Sequence, residues 1–413
     1  MCASFVSLLA QAYAAFTDQF GGEPAVLACA PGRVELLGNH TDYNGGLVMA
    51  AAIDRSTIVV GRRASGRHAR VFSVNFGQTD TYPLDAIEPS EAGAWTRYVR
   101  GVCWALTAWS GPLASGFEAA IVGDVPLGAG LSSSASLQAS VAWFLIQLGL
   151  IPGRSSRDFQ GDQSDSLRME LAQALRRSEN DFVGVGSGLL DQFSSLFGRA
   201  GFALFLDCTT LIHDRLPLGS PAPAIVVCDS QTSRRLADGM YNQRRAECER
   251  VLAALRDKIP HRGEFRLSQV PRAELETEWE HLDPIGRRRA RHVLSENDRV
   301  RQGVEALKSH DITAFGRLMS ASHASSRDDF ENSSFALDAL IEFAGTAPGF
   351  LGGKLSGAGW AGCTVNLVRA EFAGDFAEAV RTAYARRTGT TPEIHICHAA
   401  EGAFGRDLVP PGP

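Results

Sequence analysis

The chain has 413 residues, 45% of them hydrophobic and 21% charged, with a formal net charge of −6. That is the balance of a globular protein long enough for two or three domains. The negative net charge and the lack of any long basic run exclude nonspecific nucleic-acid binding, and no apolar stretch is long enough to cross a membrane. Eight cysteines lie scattered through apolar segments without a C-x-x-C pair. They read as buried free thiols in a reducing, cytoplasmic compartment rather than as disulfides or a zinc site.

The first stretch places Phe5, Leu8, Leu9, Tyr13 and Phe16 at helical spacing. It lacks the positive start of a signal peptide, and Gln11 interrupts its apolar run, so an amphipathic helix of the mature protein is expected. Residues 26–29 and 34–37 read as strands on either side of a turn at Pro31 and Gly32. Residues 38–46 form a polar loop holding Asn39, His40, Asp42, Tyr43 and Asn44, either a ligand site or a surface turn. Strand-like alternation over 47–53, 57–62, 69–74 and 80–83 predicts an antiparallel sheet. Residues 95–109 read as a helix with Tyr98, Val99, Val102 and Leu106 on one face. Trp95 at its start is a core anchor or a stacking surface.

Residues 123–140 read GDVPLGAGLSSSASLQAS. A short strand (119–122) runs into this small-residue loop, and an apolar helical pattern over 137–148 leaves it. Glycines allow close approach and left-handed turns, and a helix start offers free N–H groups and a positive dipole end. Ser132, Ser133 and Ser134 add hydroxyls. The stretch is a phosphate cradle or a serine-capped helix. It is neither a Walker A loop nor G-x-G-x-x-G, since no lysine follows its last glycine and the spacing differs.

Further on, 152–166 is loop-like and 167–180 helical. Gly184, Gly186 and Gly188 make a tight lead-in to Asp191, which is a helix cap or a carboxylate aimed into a cleft. Residues 201–207 and 224–229 read as strands, and 240–255 as a helix. Residues 260–282 carry no functional signal. Helices follow over 288–308 and 311–326. The arginines at 287–289 and 291 share their helix with Glu296 and Asp298 and read as a solvated face. A second glycine-rich loop (350–362) joins a helix (335–344) to a strand (363–368). A helix (372–388), a strand (393–398) and a proline-containing tail complete the chain. Strand groups interleaved with helices indicate an α+β fold rather than a doubly wound sheet.

Three separated segments, PGRVELLGNHTDYN, PLGAGLSSSAS and KLSGAGWAGCTV, resemble the three motifs of the GHMP small-molecule kinase superfamily. Residues 32–44 resemble the galactokinase signature, roughly GRVNLIGEHTDYN. GLLDQF, YNQRRAECE, RARHVLSEN and SHASSRDDFENS extend the likeness in consistent order. The resemblance implies a two-domain kinase: an N-terminal ATP-binding domain (1–207) related to ribosomal protein S5 domain 2, and a ferredoxin-like C-terminal domain (208–413). The active site would lie between them, and the chain would act as a monomer in the cytoplasm. The implied reaction passes phosphate from ATP, with Mg²⁺, to the anomeric hydroxyl of D-galactose. No nucleic-acid or membrane partner is implied.

On matching positions the resemblance implies that Asp191 and Arg33 are catalytic, the aspartate beside the C1 hydroxyl and the arginine beside the aspartate. It implies that Asn39, His40, Asp42, Gly188 and Tyr241 contact the sugar. It assigns Trp95, Gly128, Gly130, Leu131, Ser132, Ser133 and Ser134 to ATP, with Trp95 near the adenine, and Ser134 and Glu179 to Mg²⁺. Gly357 and Gly359 would shape the floor. One departure stands out. The family commonly has Asn where this chain has Glu35, and Glu where it has Asn39. We expect the two side chains to be neighbours, so that the exchange preserves their pairing. The alternative is a changed sugar preference, towards N-acetylgalactosamine, galacturonate or L-arabinose. A sugar sensor without turnover is disfavoured by Arg33, Asp191, Glu179 and the intact serine run.

Overall fold

The computed structural model describes residues 3–90, 94–161, 164–232, 239–256, 258–259 and 265–408; Cys2 and the last residues of the proline-containing tail (409–413) lie outside them. Helix α1 (Ala3–Phe20) forms as its spacing predicts. It lays Leu8, Ala12 and Phe16 against Leu27, Cys29, Ile58, Val60 and Ala120 on one face of a sheet. That sheet comprises β1 (Val26–Leu37), β2 (Leu47–Ala64), β3 (His68–Ser73), β4 (Gln78–Pro83), β5 (Gly116–Gly123), β6 (Phe202–Asp207) and β7 (His213–Pro217), joined by a last strand from the chain's end. It is not wholly antiparallel, because β3 runs parallel to β5.

Two expected breaks are absent. Pro31 and Gly32 do not turn the chain. β1 runs through them with a register shift between Pro31 and Arg33. Gly32 is needed for close approach instead: an added Cβ would lie 2.7 Å from the Leu131 carbonyl oxygen. Likewise β2 is one strand of 18 residues, pairing with β6 through its first part and with β5 through its second. The face opposite α1 is covered by α2 (Ala94–Ser110), α3 (Ser133–Gln147), α4 (Ser164–Arg177) and α5 (Leu190–Phe197), whose Val99, Val102, Phe144, Leu171 and Phe193 belong to one core. Helix α3 begins earlier than its apolar pattern, because Ser133 and Ser134 make its first turn.

The second sheet starts with β8 (Ala224–Asp229). After it come α6 (Met240–Arg256), α7 (Arg272–Glu278), α8 (Pro284–Lys308), α9 (Ile312–Ser325) and α10 (Phe335–Thr346). Then follow β9 (Phe350–Leu355), β10 (Cys363–Val368), α11 (Ala373–Thr388) and β11 (Glu393–Cys397). The strand order is β11-β8-β10-β9, antiparallel throughout, which is the ferredoxin-like arrangement. One face packs Val226 and Val368 under Leu340 of α10 and Phe376 of α11. On the other face, Ile225, Val227, Val365 and Leu367 share a core with Val34, Leu36, Met49 and Ala51 of the first sheet and with Phe315 and Met319 of α9. That shared apolar core joins the two halves.

Several expectations need correction. The last strand, β12 (Phe404–Asp407), returns to pair with β1, and β7 pairs with β6. A division after residue 207 would cut the first sheet, because strand hydrogen bonds do not follow chain order. Arg289 leaves the solvated face expected of its cluster. It is 1% exposed and bonded to Glu247 at 2.6 Å and Glu331 at 2.7 Å. Of the segment 260–282, Leu267, Leu275 and Leu282 fill a small core with α6 and α8. The second glycine-rich segment is loop only beyond Leu355, since Gly352 and Gly353 belong to β9.

Gly352 is there for contact. Its added Cβ would lie 1.8 Å from the Gly316 carbonyl oxygen of α9. Gly352→Ala should therefore cost about 1–3 kcal/mol or more, as overpacking does. Gly345→Ala, at a helical position with nothing within 4 Å of the added Cβ, should be neutral or stabilising. Urea unfolding of both variants checks this, and equal effects would overturn the close-contact account.

Candidate functional site

A cleft of about 630 Å³ opens where the two halves meet. It is lined by Arg33, Asp191 and Glu179, by Asn39, His40 and Asp42, and by Gly188 and Tyr241. Gly128, Gly130, Leu131, Ser132, Ser133 and Ser134 complete one wall, and Gly357 another. Two of the residues singled out do not line it, Gly359 and Trp95. Trp95 is 6% exposed and packed in the core with Val99 and Val102. Its Nε1 donates to Gln78 at 3.2 Å and its ring stacks on Phe76. The helical spacing of Trp95, Val99 and Val102 is the signal that favours the core reading.

The centre of the cleft is a tied carboxylate. Arg33 projects from β1, and its Nε donates to Asp191 Oδ1 at 2.7 Å, with a second guanidinium nitrogen 2.5 Å from the same oxygen. Its third nitrogen donates to the Gly130 carbonyl at 2.7 Å. Ser132 Oγ donates to Asp191 Oδ2 at 2.5 Å. Both carboxylate oxygens are thus held, and Asp191 faces the cleft rather than capping its own helix, whose N-cap is Leu189. The loop reaches this geometry through left-handed turns at Gly128, Gly130 and Ser132, with φ of 76°, 77° and 56°. A serine in that region costs about 1–2 kcal/mol, which the bond to Asp191 offsets. Beyond it, the amides of Ser133, Ser134 and Ala135 have no partner within α3. With the positive helix end they form an anion site.

Glu179 stands opposite, in a π-helical turn (Ser178–Val183) after α4. It accepts from Ser187 Oγ at 3.0 Å and from Gln192 Nε2. Burial, and then the charge of Asp191, push its carboxyl upward.

The loop after β1 is held from behind. Asn39 is 1% exposed. Its Nδ2 donates to Glu35 at 3.1 Å and to the Gly357 carbonyl at 2.9 Å. Its Oδ1 accepts from Asn332 at 2.9 Å and Ser326 at 3.3 Å. The expected pairing of Glu35 with Asn39 is therefore present. Lys354, which sequence reading did not single out, joins it at 2.7 Å from Glu35. A lysine in a glycine-rich segment looks exposed, but strand β9 carries its side chain to 0% exposure. His40, left-handed at φ 60°, has Nδ1 2.9 Å from the Tyr43 hydroxyl and Nε2 3.0 Å from the Ala358 carbonyl. Burial pushes its pKa down to about 3, so it is neutral, donating through Nε2 and accepting through Nδ1. The polar atoms of Asn39 and His40 are thus already engaged by the protein. Both residues shape the wall. The Tyr241 ring packs on His40 and Tyr43 with centroids 5.4 Å and 5.5 Å away.

Asp42 differs. It packs on Gly188, where an added Cβ would lie 2.0 Å from Oδ2. Burial, and then the nearby Glu35 carboxylate, push its pKa up to about 6. A raised pKa means the folded protein holds this proton more tightly than the unfolded chain. Its stabilising contribution is full below about pH 4 and is lost as pH rises through about 6. Asp42→Asn should therefore raise stability at pH 7 by about 1–2 kcal/mol, the full linkage value being reduced by cleft water. The gain should vanish near pH 4. Urea midpoints at both pH values check this, and no gain at pH 7 would sink it.

With this geometry in place, comparison with known proteins is direct. The galactokinase galactose-binding signature matches residues 14–63. The GHMP kinase N-terminal domain matches 97–199 and the GHMP kinase C-terminal domain 304–386. The galactokinase of Roseiflexus sp. (strain RS-1) is 42% identical over 387 residues, 94% of each chain. That of Homo sapiens is 38% identical over 407 residues, 96% of each. The crystal structure of Lactococcus lactis galactokinase complexed with galactose matches with a TM-score of 0.85 at 32% identity, over 97% of this chain and 99% of that one. Methanococcus jannaschii mevalonate kinase matches with a TM-score of 0.59 at 16% identity, over 91% and 99%, which shows the fold alone. On near full-length similarity and a signature that spans Arg33 and the polar loop, this chain belongs to the galactokinase family of the GHMP kinases.

Proposed function

We propose that the protein is a galactokinase, transferring the γ-phosphoryl group of ATP to the anomeric hydroxyl of D-galactose to give α-D-galactose 1-phosphate and ADP. The observation that carries this reading is Asp191, held by Arg33 and Ser132 between a helix-start anion site and a polar loop. Phosphoryl transfer asks for positioning and charge stabilisation more than for covalent chemistry. Asp191 orients the sugar hydroxyl and takes its proton as the new P–O bond forms. Arg33 fixes the Asp191 rotamer and lies where charge develops on the transferring group. The amides at the start of α3 and the hydroxyls of Ser133 and Ser134 receive the phosphates.

The residues present fit Mg²⁺. Glu179 and Ser134 offer hard oxygen ligands, and a bound cation would relieve the upward push that burial, and then the Asp191 charge, exert on Glu179. Mg²⁺ bound there would supply charge neutralisation on the phosphate oxygens. Asp42 and Tyr241 line the sugar end, with Gly188 leaving room for Asp42. Because the cleft is complete within one chain, we take the active form to be a monomer. None of the seven described cysteines is in a disulfide with another, which supports a reducing, cytoplasmic setting.

ADP release measured over hexoses, amino sugars and uronic acids should show the highest kcat/KM with galactose. No galactose-dependent release would overturn the assignment. Asp191→Ala should lower kcat at least about 10³-fold, in the range for loss of a positioned base, while nucleotide affinity persists by titration. Near-normal turnover in that variant would remove Asp191 from its role.

A further inference from the structure

Glu35 is the carboxylate at the sugar end that the mechanism leaves unused. It follows Arg33 by two residues on β1, with regular pairing to β2 between them. The two side chains therefore share a face, about 7 Å apart along the strand. Its Oε1 accepts both Lys354 Nζ at 2.7 Å and Asn39 Nδ2 at 3.1 Å. Its Oε2 accepts nothing among the described residues, and the side chain keeps 9% exposure where it borders the cleft. Asn39 is in the opposite condition, with both of its amide atoms bonded to protein groups. A ligand hydroxyl entering here finds a free acceptor on Glu35 and none on Asn39.

We propose that Glu35 is a sugar-specificity residue: Oε2 accepts a hydrogen bond from one hydroxyl remote from the anomeric carbon. Lys354, buried behind it, balances the charge and fixes the rotamer. Asn39 is a clamp that joins β1 to the loop after β9 and to Asn332. The inference rests on the galactokinase reading of the cleft. Arg33 holds Asp191 at the reacting hydroxyl, and the strand carries Glu35 away from that point. A sugar lacking the matching hydroxyl would leave the carboxylate partly desolvated and unpaired, which is how a polar site rejects analogues.

The test compares galactose with 2-, 3-, 4- and 6-deoxygalactose for the full-length wild type, Glu35→Gln and Asn39→Ser. A second variant, Glu35→Gln with Lys354→Met, keeps the buried charge balanced should the single change fail to fold. Glu35→Gln should raise the galactose KM about 10- to 100-fold, the value of a hydrogen bond to a charged group, and leave the ATP KM within about twofold. Against one of the 3-, 4- or 6-deoxy sugars, wild type and variant should become equal. Asn39→Ser should instead lose ground equally on all sugars. A uniform loss in Glu35→Gln, or a hydroxyl-specific loss in Asn39→Ser, would overturn the proposal. If wild type releases no ADP with galactose, the functional reading fails by itself. Glu35 is then tested by the same equalisation in calorimetric binding of the five sugars.

Discussion

The polar loop after β1 depends on one carboxylate with no exposed surface. Glu296 of α8 accepts the backbone amides of Gly38 at 2.9 Å and Asn39 at 3.3 Å, and the Ser322 hydroxyl at 2.5 Å. Its other oxygen meets Arg299 at 2.5 Å. Burial would raise its pKa, but Arg299 and His292 hold it down at about 2. A buried charge without such partners is prohibitive. A loop outside regular structure also needs partners for its own amides, and these come from the other half of the molecule. His292 bonds the Asn39 carbonyl at 2.9 Å, and Asn297 accepts the Leu47 amide at 2.8 Å. About a turn and a half of α8 thus dictates where residues 38–47 run.

The second dependence runs through β1. Arg33 N–H donates to the Leu131 carbonyl at 3.0 Å, so the serine-rich loop is laid on β1 by its backbone. Arg33, on the same residue, then reaches Asp191. The anion site, the central carboxylate and the polar loop after β1 are therefore referred to one strand. That strand can pass so close only because position 32 lacks a Cβ. Phosphoryl transfer between two bound molecules needs this economy of reference points, since small errors of placement cost rate steeply.

How much of this was legible in the sequence follows from the kind of signal each residue carries. Gly128, Gly130 and the serines declare a tight loop and a helix start by chemistry alone, and they fill those roles. The pairing of Glu35 with Asn39 was readable because an exchanged couple implies contact. RARHVLSEN and SHASSRDDFENS were visible only as likeness. Their physical reason, the bonds of His292 and Glu296 to the loop and of Ser326 and Asn332 to Asn39, spans more than 250 residues of chain in each case. Periodicity reports a residue's own element and is silent on such partners. For the same reason β12 pairing with β1, the burial of Arg289 and the burial of Lys354 were not readable. Trp95 went the other way. Its helical spacing with Val99 fits the buried position it takes, whereas the likeness drew it towards the ligand.

The cleft is built against its own electrostatics. Glu35, Asp42, Glu179 and Asp191 all border it. Burial raises the pKa of both Asp42 and Glu179, with Glu35 adding to the first and Asp191 to the second. Arg33 and Lys354 answer two of the four by direct ion pairs, Arg33 to Asp191 and Lys354 to Glu35. Among the described residues, Asp42 in the polar loop after β1 and Glu179 opposite the serine-rich loop have no direct ion pair. On the function proposed above, these are the places where a sugar would supply hydroxyl donors and a nucleotide would bring a divalent cation. A core optimised for folding would neutralise both, and a ligand that does so stabilises the folded state by its binding free energy. The arrangement thus holds stability below what the same backbone could reach. On the proposed function, the deficit sits where substrate contacts would recover it.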